Sequence, residues 1–441
     1  MKRFISALLA ACMVLSMTAC GQDGASSDVQ SGQDSTTSAV ENAPAEPAPE
    51  ESKPLSNPVA MDENGDVDME KALAYETDID AFVAAMEAKT IDPTMPVSEN
   101  SNENTMEVWN YLRSIYGKQM ISAQQMKGGK SAEDLVYYNA TGDLPAMKGF
   151  DFIFCTGGYH DEGMIDEAIE WHHESGGLVT FTWHWNVPRD VDDPDKGWAF
   201  YQEEIINWSQ INAVTPGTKE YETVIHDIDL IASKLQRLEA EGVTVLFRPL
   251  HEASGAWFWW GTLNRASAEN QVFQKLWYMI YDRLENYHKL TNLIWVWNGQ
   301  SKNTMVSPNT YDIAGIDYYA DKEDHSSLPD QYRKLNSFNA DSGKMLTLSE
   351  CGYIPDPADC VANGNMWLYY MTWNGDFVYE ATPGGAAITD FNGTPSPNPE
   401  RMTNEMLVEY FGNDAMITFN DLPTKKEIPQ DIRNWEFFKV D

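Results

Sequence analysis

The sequence predicts a single (β/α)₈ barrel that follows an acidic N-terminal linker. Short apolar runs, which indicate buried strands, recur along residues 102–441, and helical patterns lie between most of them. This alternation is typical of a parallel sheet that is covered by helices on both faces. The main competing fold is a doubly wound open sheet, but no Gly-x-Gly-x-x-Gly motif follows an early strand. The observations therefore favour the α/β barrel class.

The chain begins with a segment typical of export signals. Residues 1–20 start with Lys2 and Arg3, continue with an apolar stretch and carry small residues before Cys20, which is the layout of a secretory signal peptide. The ending Met-Thr-Ala-Cys resembles a bacterial lipoprotein box. This resemblance implies that Cys20 becomes lipid-modified and anchors the chain at the extracellular face of a membrane. Ordinary secretion is the alternative.

Residues 21–65 are predicted to form a disordered linker. They consist mainly of Ser, Gln, Asp, Glu, Ala and Pro, so they cannot bury enough surface to offset the entropy lost on ordering. For residues 66–101 the sequence leaves open whether the segment is helical or part of the linker. Residues 68–89 carry the apolar positions of a helix, but the sequence does not show how this helix connects to the next domain.

Charge and cysteine usage exclude several classes of protein. The formal net charge is −38, which excludes a general nucleic-acid binder because affinity for the phosphate backbone requires Lys and Arg. Beyond the leader the cysteines are Cys155, Cys351 and Cys360. Cys351 and Cys360 could pair, but the sequence does not establish the required geometry. No Cys/His spacing typical of a metal site occurs, so we expect no metal. We also expect no organic cofactor and a monomeric protein.

The barrel domain is predicted over residues 102–441. It opens with a helix whose apolar positions include Trp109 and Leu112 and which ends at Gly117. Helical patterns follow at 164–174, 221–241 and 267–288, and a Gly- and Pro-rich loop of unassigned role covers 377–398. The predicted strands are 120–123, 152–155, 178–183, 243–249, 293–297, 313–317, 345–349 and 367–373.

Two of these strands end in a glutamate. Glu252 follows the fourth predicted strand and Glu350 follows the seventh. In such barrels the chemistry lies at the carboxyl ends of the strands, and a carboxylate there is costly to desolvate unless it is paired or functional. Arg248 and Glu252 share strand parity, so both are predicted to point into the barrel mouth. A structural ion pair between Arg248 and Glu350 is the alternative interpretation.

Four segments resemble glycoside hydrolase family 26, whose best-known members are β-mannanases. The segment 247–261, FRPLHEASGAWFWWG, closely resembles the acid/base segment of that family. The segments 175–186, 314–319 and 348–352 (SGGLVTFTWHWN, AGIDYY and LSECG) resemble its third, sixth and seventh strands. The resemblance covers roughly residues 102–441. It implies a retaining (β/α)₈ glycosidase of clan A.

The same resemblance implies roles for individual residues. Glu252 corresponds to the acid/base and Glu350 to the nucleophile, while Arg248 would keep Glu350 ionised and Tyr319 would donate a hydrogen bond to it. The substrate-binding positions that the resemblance indicates include His184, Trp257 and Trp373. Two roles stay open: His251 either orients the site or packs outside the barrel, and Asp317 either supports its strand or binds substrate. Trp259 and Trp260 are equally suited to loop packing and to sugar contact.

The function that this resemblance implies is hydrolysis of β-1,4-mannan, glucomannan or galactomannan within the chain. Another family specificity, such as β-1,3-xylanase or mixed-linkage β-glucanase, is an alternative because the catalytic pair does not distinguish the configuration at O2. A surface glycan-binding lipoprotein without chemistry is a second alternative, although both glutamates are present. A metal-dependent hydrolase that uses His160, His184 and His251 is a third.

Overall fold

The computed structural model describes residues 56–434 apart from 129–131, 263–266, 384 and 390–393. In this part of the chain, eight parallel strands close into a barrel, because β1 pairs with both β2 and β8. The barrel strands are β1 Met120–Gln125, β2 Met147–Asp151, β3 Leu178–Thr182, β4 Val245–Arg248, β5 Leu293–Trp297, β6 Ile313–Tyr318, β7 Met345–Cys351 and β8 Tyr369–Thr372. The predicted (β/α)₈ fold class is confirmed.

Helices cover the outside of the barrel. Their ends follow local chemistry: the side chains of Asn102 and Thr218 accept hydrogen bonds from the backbone N–H groups of Thr105 and Tyr221 at two helix starts. Gly176 ends another helix with φ 72°, a conformation that glycine adopts without strain. The helices are α1 Met69–Ala72, α2 Ile79–Ala88, α3 Glu103–Ile115, α4 Ala132–Thr141, α5 Gly163–Ser175, α6 Gln210–Ala213, α7 Lys219–Ala240, α8 Ser267–Asp282, α9 Pro329–Asn339, α10 Pro357–Asn363, α11 Asn404–Phe411 and α12 Gln430–Asn434.

The prediction of the second strand at 152–155 is wrong. The strand is β2, Met147–Asp151, and it lacks a continuous apolar run because it contains Lys148 and Gly149. Lys148 is buried, and an ion pair with Asp134 compensates its charge. A Cβ at Gly149 would collide with the side chains of Gln125 and Met371. Both residues are therefore adapted to a buried strand, but they do not carry its apolar signature.

The described part of the N-terminal region packs against the barrel domain. The predicted helix at 68–89 is divided into α1 and α2. Asn57 already contacts the barrel domain, because its backbone N–H donates to the carbonyl oxygen of His288 at 2.6 Å. Further along, Tyr75 donates to Asp282 at 2.7 Å and Ser98 donates to Glu285 at 2.6 Å. These contacts extend the packed part of the chain into residues that the sequence indicates as linker.

The leader, including Cys20, lies outside the described residues. Among the helices that are described, none combines the length and apolar character needed to cross a bilayer.

The three described cysteines are free thiols. Cys155, Cys351 and Cys360 are all buried and none forms a disulfide. Burial raises the pKa of the Cys155 thiol to about 12 and that of the Cys360 thiol to about 12. The pairing of Cys351 with Cys360 that the sequence left open is therefore not formed in this structure.

The predicted loop at 377–398 contains a hairpin-like extension after β8. Isolated antiparallel bridges join Tyr379 to Pro397 and Thr389 to Pro395. At its base, the side chain of Asn398 donates to the carbonyl oxygen of Asp376 at 2.5 Å. The extension follows the carboxyl end of β8. Because the barrel strands are parallel, its base lies at the face of the barrel where β4 and β7 also end.

Candidate active site

Three barrel strands bring one arginine and two carboxylates together. Arg248 is the last residue of β4 and is completely buried. Its guanidinium donates to Asp317 Oδ2 at 2.8 Å and to Glu350 Oε1 at 2.5 Å. Asp317 lies at the end of β6 and Glu350 at the end of β7. Arg248 thus pairs with both carboxylates, and the Arg248–Glu350 ion pair that the sequence offered as the alternative interpretation is formed.

An irregularity in β7 orients Glu350. The register between β6 and β7 shifts between Ile316 and Asp317, as in a β-bulge that redirects side chains near a site. Ser349 and Glu350 therefore both reach the cluster: the Ser349 hydroxyl donates to Asp317 Oδ1 at 2.6 Å, while Glu350 contacts Arg248. The Tyr319 hydroxyl donates to Glu350 Oε2 at 2.9 Å, as expected.

Glu252 lies in a strained turn after β4. Leu250 and Glu252 have positive φ values of 53° and 54°, a conformation that is rare for residues other than glycine. The strand alternation on which the parity prediction was based therefore stops at Arg248. The Glu252 carboxylate still reaches the cluster, because carboxylate oxygens of Glu252, Asp317 and Glu350 lie within 4.8 Å of one another. Trp257 donates its indole N–H to Glu252 Oε2 at 2.7 Å.

A pair of histidines borders the carboxylate cluster. The Nδ1 atom of His184 lies 2.5 Å from Asp151 Oδ2, and its backbone N–H donates to Asp151 Oδ1 at 3.0 Å. The Nε2 atoms of His184 and His251 are 3.3 Å apart. Burial lowers the pKa of His251 well below its usual value, and His184 and Arg248 add to this shift. His251 is therefore a neutral neighbour of His184 and does not lie outside the barrel.

The tryptophans near the cluster divide into two groups. Trp257 is partly exposed and binds Glu252, and the ring of Trp373 lies 5.9 Å from that of His184. In contrast, Trp259 and Trp260 are buried and donate their indole N–H groups to the backbone oxygens of Trp185 and His251. Trp259 and Trp260 therefore pack within the loops, whereas the sequence left open whether they do so or contact sugar.

The pKa values of the two glutamates are raised by their surroundings. Burial, together with the charges of Asp317 and Glu350, raises the pKa of Glu252 well above its usual value. Burial and Asp317 raise the pKa of Glu350 to about 7, while Arg248 opposes this rise. Because Arg248 bonds directly to Glu350 and not to Glu252, Glu350 loses its proton more readily than Glu252.

Among the described residues, the carboxylate cluster is also the one group of three or more His, Cys, Asp or Glu side chains whose ligand atoms lie close enough together to hold a metal ion. Its oxygens already accept hydrogen bonds, however. Arg248 donates to Asp317 and Glu350, Tyr319 donates to Glu350, and Trp257 donates to Glu252. The buried guanidinium supplies the positive charge that a cation would otherwise bring, so this donor set suits carboxylate chemistry better than metal binding.

Three further residues of the site, Asp151, Asn298 and Ser349, are not indicated by the sequence patterns. Asp151 ends β2, so the misplaced strand concealed its position at a strand end. Asn298 directly follows β5 and is completely buried. Its side-chain amide donates to Asp317 Oδ1 at 2.7 Å and to Ser349 Oγ at 2.5 Å. Its backbone carbonyl oxygen accepts from the backbone N–H of Glu252 at 2.9 Å. A polar residue immediately after an apolar strand was the signal available for Asn298.

A closed (β/α)₈ barrel places its chemistry at the strand ends, and the pair of carboxyl groups clustered there is what a glycoside hydrolase requires. Residues 97–391 match the sequence profile of glycosyl hydrolase family 26. The chain belongs to this family.

The chain is also similar to individual curated proteins. The chain is 34% identical over 364 residues to mannan endo-1,4-beta-mannosidase B of Piromyces sp, covering 78% of this chain and 58% of the relative. It is 32% identical over 313 residues to mannan endo-1,4-beta-mannosidase of Thermothelomyces thermophilus, covering 66% of this chain and 61% of the relative. The chain thus spans about 60% of the length of these curated relatives.

Solved structures show the same fold. The Podospora anserina GH26-CBM35 β-(1,4)-mannanase superposes with a TM-score of 0.64 at 31% identity, covering 76% of this chain and 69% of that chain. The β-mannanase from a symbiotic protist of the termite Reticulitermes speratus, complexed with gluco-manno-oligosaccharide, gives 0.64 at 26% identity and covers 76% of this chain and 99% of that chain.

Proposed function

We propose that this protein is a retaining endo-β-1,4-mannanase. The observation that carries the proposal is the approach of the Glu252 and Glu350 carboxyl oxygens, which lie within 4.8 Å of each other. Retaining glycosidases hold their two carboxyl groups about 5–5.5 Å apart, whereas inverting enzymes separate them further to admit a water molecule. The names of a curated relative, mannan endo-1,4-beta-mannosidase B, and of a solved GH26 β-(1,4)-mannanase support mannan as the substrate.

In the proposed mechanism, Glu350 attacks the anomeric carbon while Glu252 protonates the departing glycosidic oxygen. Arg248 and Tyr319 hydrogen-bond to Glu350 and favour its ionised form. Bond formation removes the charge of Glu350, so Glu252 then ionises more readily and acts as the base that activates water. Water attack releases Glu350 and gives a product with retained configuration. No metal or organic cofactor takes part in the proposed mechanism.

We further propose that His184, His251, Trp257 and Trp373 border the sugar that is cleaved. His184 contacts Asp151, which fixes its orientation, and its ring lies 5.9 Å from that of Trp373. Asp317 binds Arg248, and we propose that it acts through Arg248 as a positioning residue. Export through the leader, attachment through Cys20 with secretion as the alternative, and action as a monomer complete the proposal.

A product profile tests the function. Purified protein is expected to release mannooligosaccharides of mixed length from linear β-1,4-mannan and from glucomannan, with a rapid fall in polymer viscosity. Galactomannan, β-1,3-xylan and mixed-linkage β-glucan form the comparison panel. Turnover confined to a xylan or glucan would overturn the mannan assignment, and binding without product release would overturn the enzymatic one.

The pH profile of kcat/KM is expected to be bell-shaped. Activity rises with pH through the Glu350 pKa of about 7, because only the ionised carboxylate is nucleophilic. It falls at higher pH as Glu252 loses the proton that the leaving oxygen requires. Initial rates on mannopentaose between about pH 4 and about pH 10 measure both limbs. A profile that declines steadily from the acidic end would contradict the assignment of Glu350 as nucleophile.

Asn298→Ala is expected to lower kcat by roughly 10- to 100-fold with little change in KM. This factor corresponds to the free energy that a hydrogen bond to a charged group typically contributes. The substitution removes the amide that binds Asp317 and Ser349 and leaves the backbone contact with Glu252 less well placed. Asn363→Ala, on an exposed residue that ends α10, is the matched control. Wild-type kcat in a folded Asn298→Ala protein would show that the cluster does not depend on this amide.

A further inference from the structure

An arginine outside the carboxylate cluster lies between two aromatic rings. The guanidinium carbon of Arg401 is 4.6 Å from the ring centroid of Tyr353 and 4.7 Å from that of Phe377. Arg401 follows the hairpin-like extension after β8, and its backbone N–H donates to the carbonyl oxygen of Asn398 at 2.9 Å. Stacking of this kind restrains a guanidinium while it leaves the N–H groups at the edge of its plane available.

The Arg401 side chain has no hydrogen-bond acceptor or ion-pair partner among the residues that the structure describes. The nearby carboxylate of Asp376 is not one, although its charge interacts with Arg401: burial raises the pKa of Asp376 and Arg401 opposes the rise. Arg401 is only partly exposed. A restrained, partly buried arginine with unused donors is typical of a ligand-binding position rather than of a solvated surface charge.

A continuous row of side chains joins Arg401 to the carboxylate cluster. The ring of Phe377 lies 5.3 Å from the ring of Tyr319, and Tyr319 donates to Glu350. Gly352, two residues after Glu350, leaves space for this row, because a Cβ there would lie 3.1 Å from Arg401 Nη1 and 3.2 Å from the Phe377 ring. Arg401 therefore lies near Glu350, and only the side chains of Phe377 and Tyr319 separate the two residues in this row.

We infer that Arg401 binds hydroxyl groups of the sugar unit next to the one that Glu350 attacks. The inference rests on the proposed mannanase function and names a substrate-binding residue for it. The ligand is a neutral pyranose with adjacent hydroxyls, which accept two hydrogen bonds from the edge of a guanidinium. Asp376 and the net charge of −38 disfavour an anionic ligand. Phe377 and Tyr353 hold the donor in place, and Gly352 permits the packing.

The test compares full-chain wild type with Arg401→Ala and Arg401→Lys on two substrates. One is mannopentaose, and the other is an aryl β-mannoside with a good leaving group, which carries no second sugar. Arg401→Ala is expected to raise the KM for mannopentaose by about tenfold or more, with a clearly smaller loss of kcat/KM on the aryl mannoside. Arg401→Lys is expected to resemble the alanine variant, because an ammonium group has no planar edge with paired donors.

Arg333→Ala is the control, since Arg333 is an exposed arginine that pairs with Asp330 on α9. It should keep wild-type kinetics, and thermal unfolding should show that both Arg401 variants are folded. Equal losses on both substrates would overturn the inference by showing a structural effect, and so would a wild-type KM for either Arg401 variant on mannopentaose. Wild-type protein inactive on every β-mannan would overturn the proposed function instead.

Discussion

Glu350→Ala is expected to lower kcat on β-mannan by roughly 10⁴-fold or more, the size of loss found when an enzyme's nucleophile is removed. No other described carboxylate is expected to replace it. Apart from the proposed acid/base Glu252, the cluster contains only Asp317, whose oxygens bind Arg248, Asn298 and Ser349. The measurement is the initial rate of reducing-sugar release, together with thermal unfolding to confirm that the variant is folded.

A rescue experiment identifies the role of Glu350 specifically. Azide can occupy the space of the missing carboxylate and attack an activated aryl β-mannoside, which gives a mannosyl azide of inverted configuration. Glu107→Ala, on an exposed glutamate of α3, serves as the control and should retain wild-type turnover. Substantial turnover by Glu350→Ala without azide would assign the nucleophile to another residue.

Glu252→Gln is expected to lower kcat on β-mannan by about 10²–10⁴-fold, the usual contribution of general acid–base catalysis. The amide keeps the shape of the side chain and a partner for Trp257, but it cannot protonate the leaving oxygen. The loss should be much smaller for glycosylation by an aryl mannoside whose leaving group needs no proton. Azide should then accelerate the second step and give a mannosyl azide of retained configuration.

The matched control for Glu252→Gln is Glu285→Gln. Glu285 is also a buried glutamate, and burial raises its pKa to about 7, but it binds Ser98 and Trp295 away from the cluster. Its substitution should leave kcat unchanged. If Glu252→Gln lost the same factor on both substrates and did not respond to azide, Glu252 would not be the acid/base.

The sequence predicts the residues of this site only where the strand that carries them has a recognisable apolar pattern. Arg248, Glu252 and Glu350 were identifiable because each lies at or just after a continuous apolar run in a recognisable segment. The second strand was misplaced because Lys148 is buried through its partner Asp134, a long-range contact that no local pattern contains. For the same reason Asp151 was not recognised as the partner of His184.

Backbone irregularities account for the remaining differences. The shift in register in β7 and the positive φ of Leu250 and Glu252 both interrupt strand alternation. The alternation of side chains along a strand therefore does not predict which way the residues of the site point. Asn298 joins Glu252 to Asp317 only after β4, β5 and β6 are adjacent, so its contacts are a property of the closed barrel and not of any single segment.

The burial of the three described thiols provides a natural reporter of unfolding. Thiolates, not thiols, react with alkylating reagents, and burial raises the pKa of Cys155 to about 12. The folded barrel therefore shields Cys155, Cys351 and Cys360 from such reagents, whereas an opened chain exposes all three. The rate at which they become labelled measures how often the barrel opens, without any probe being added to the protein.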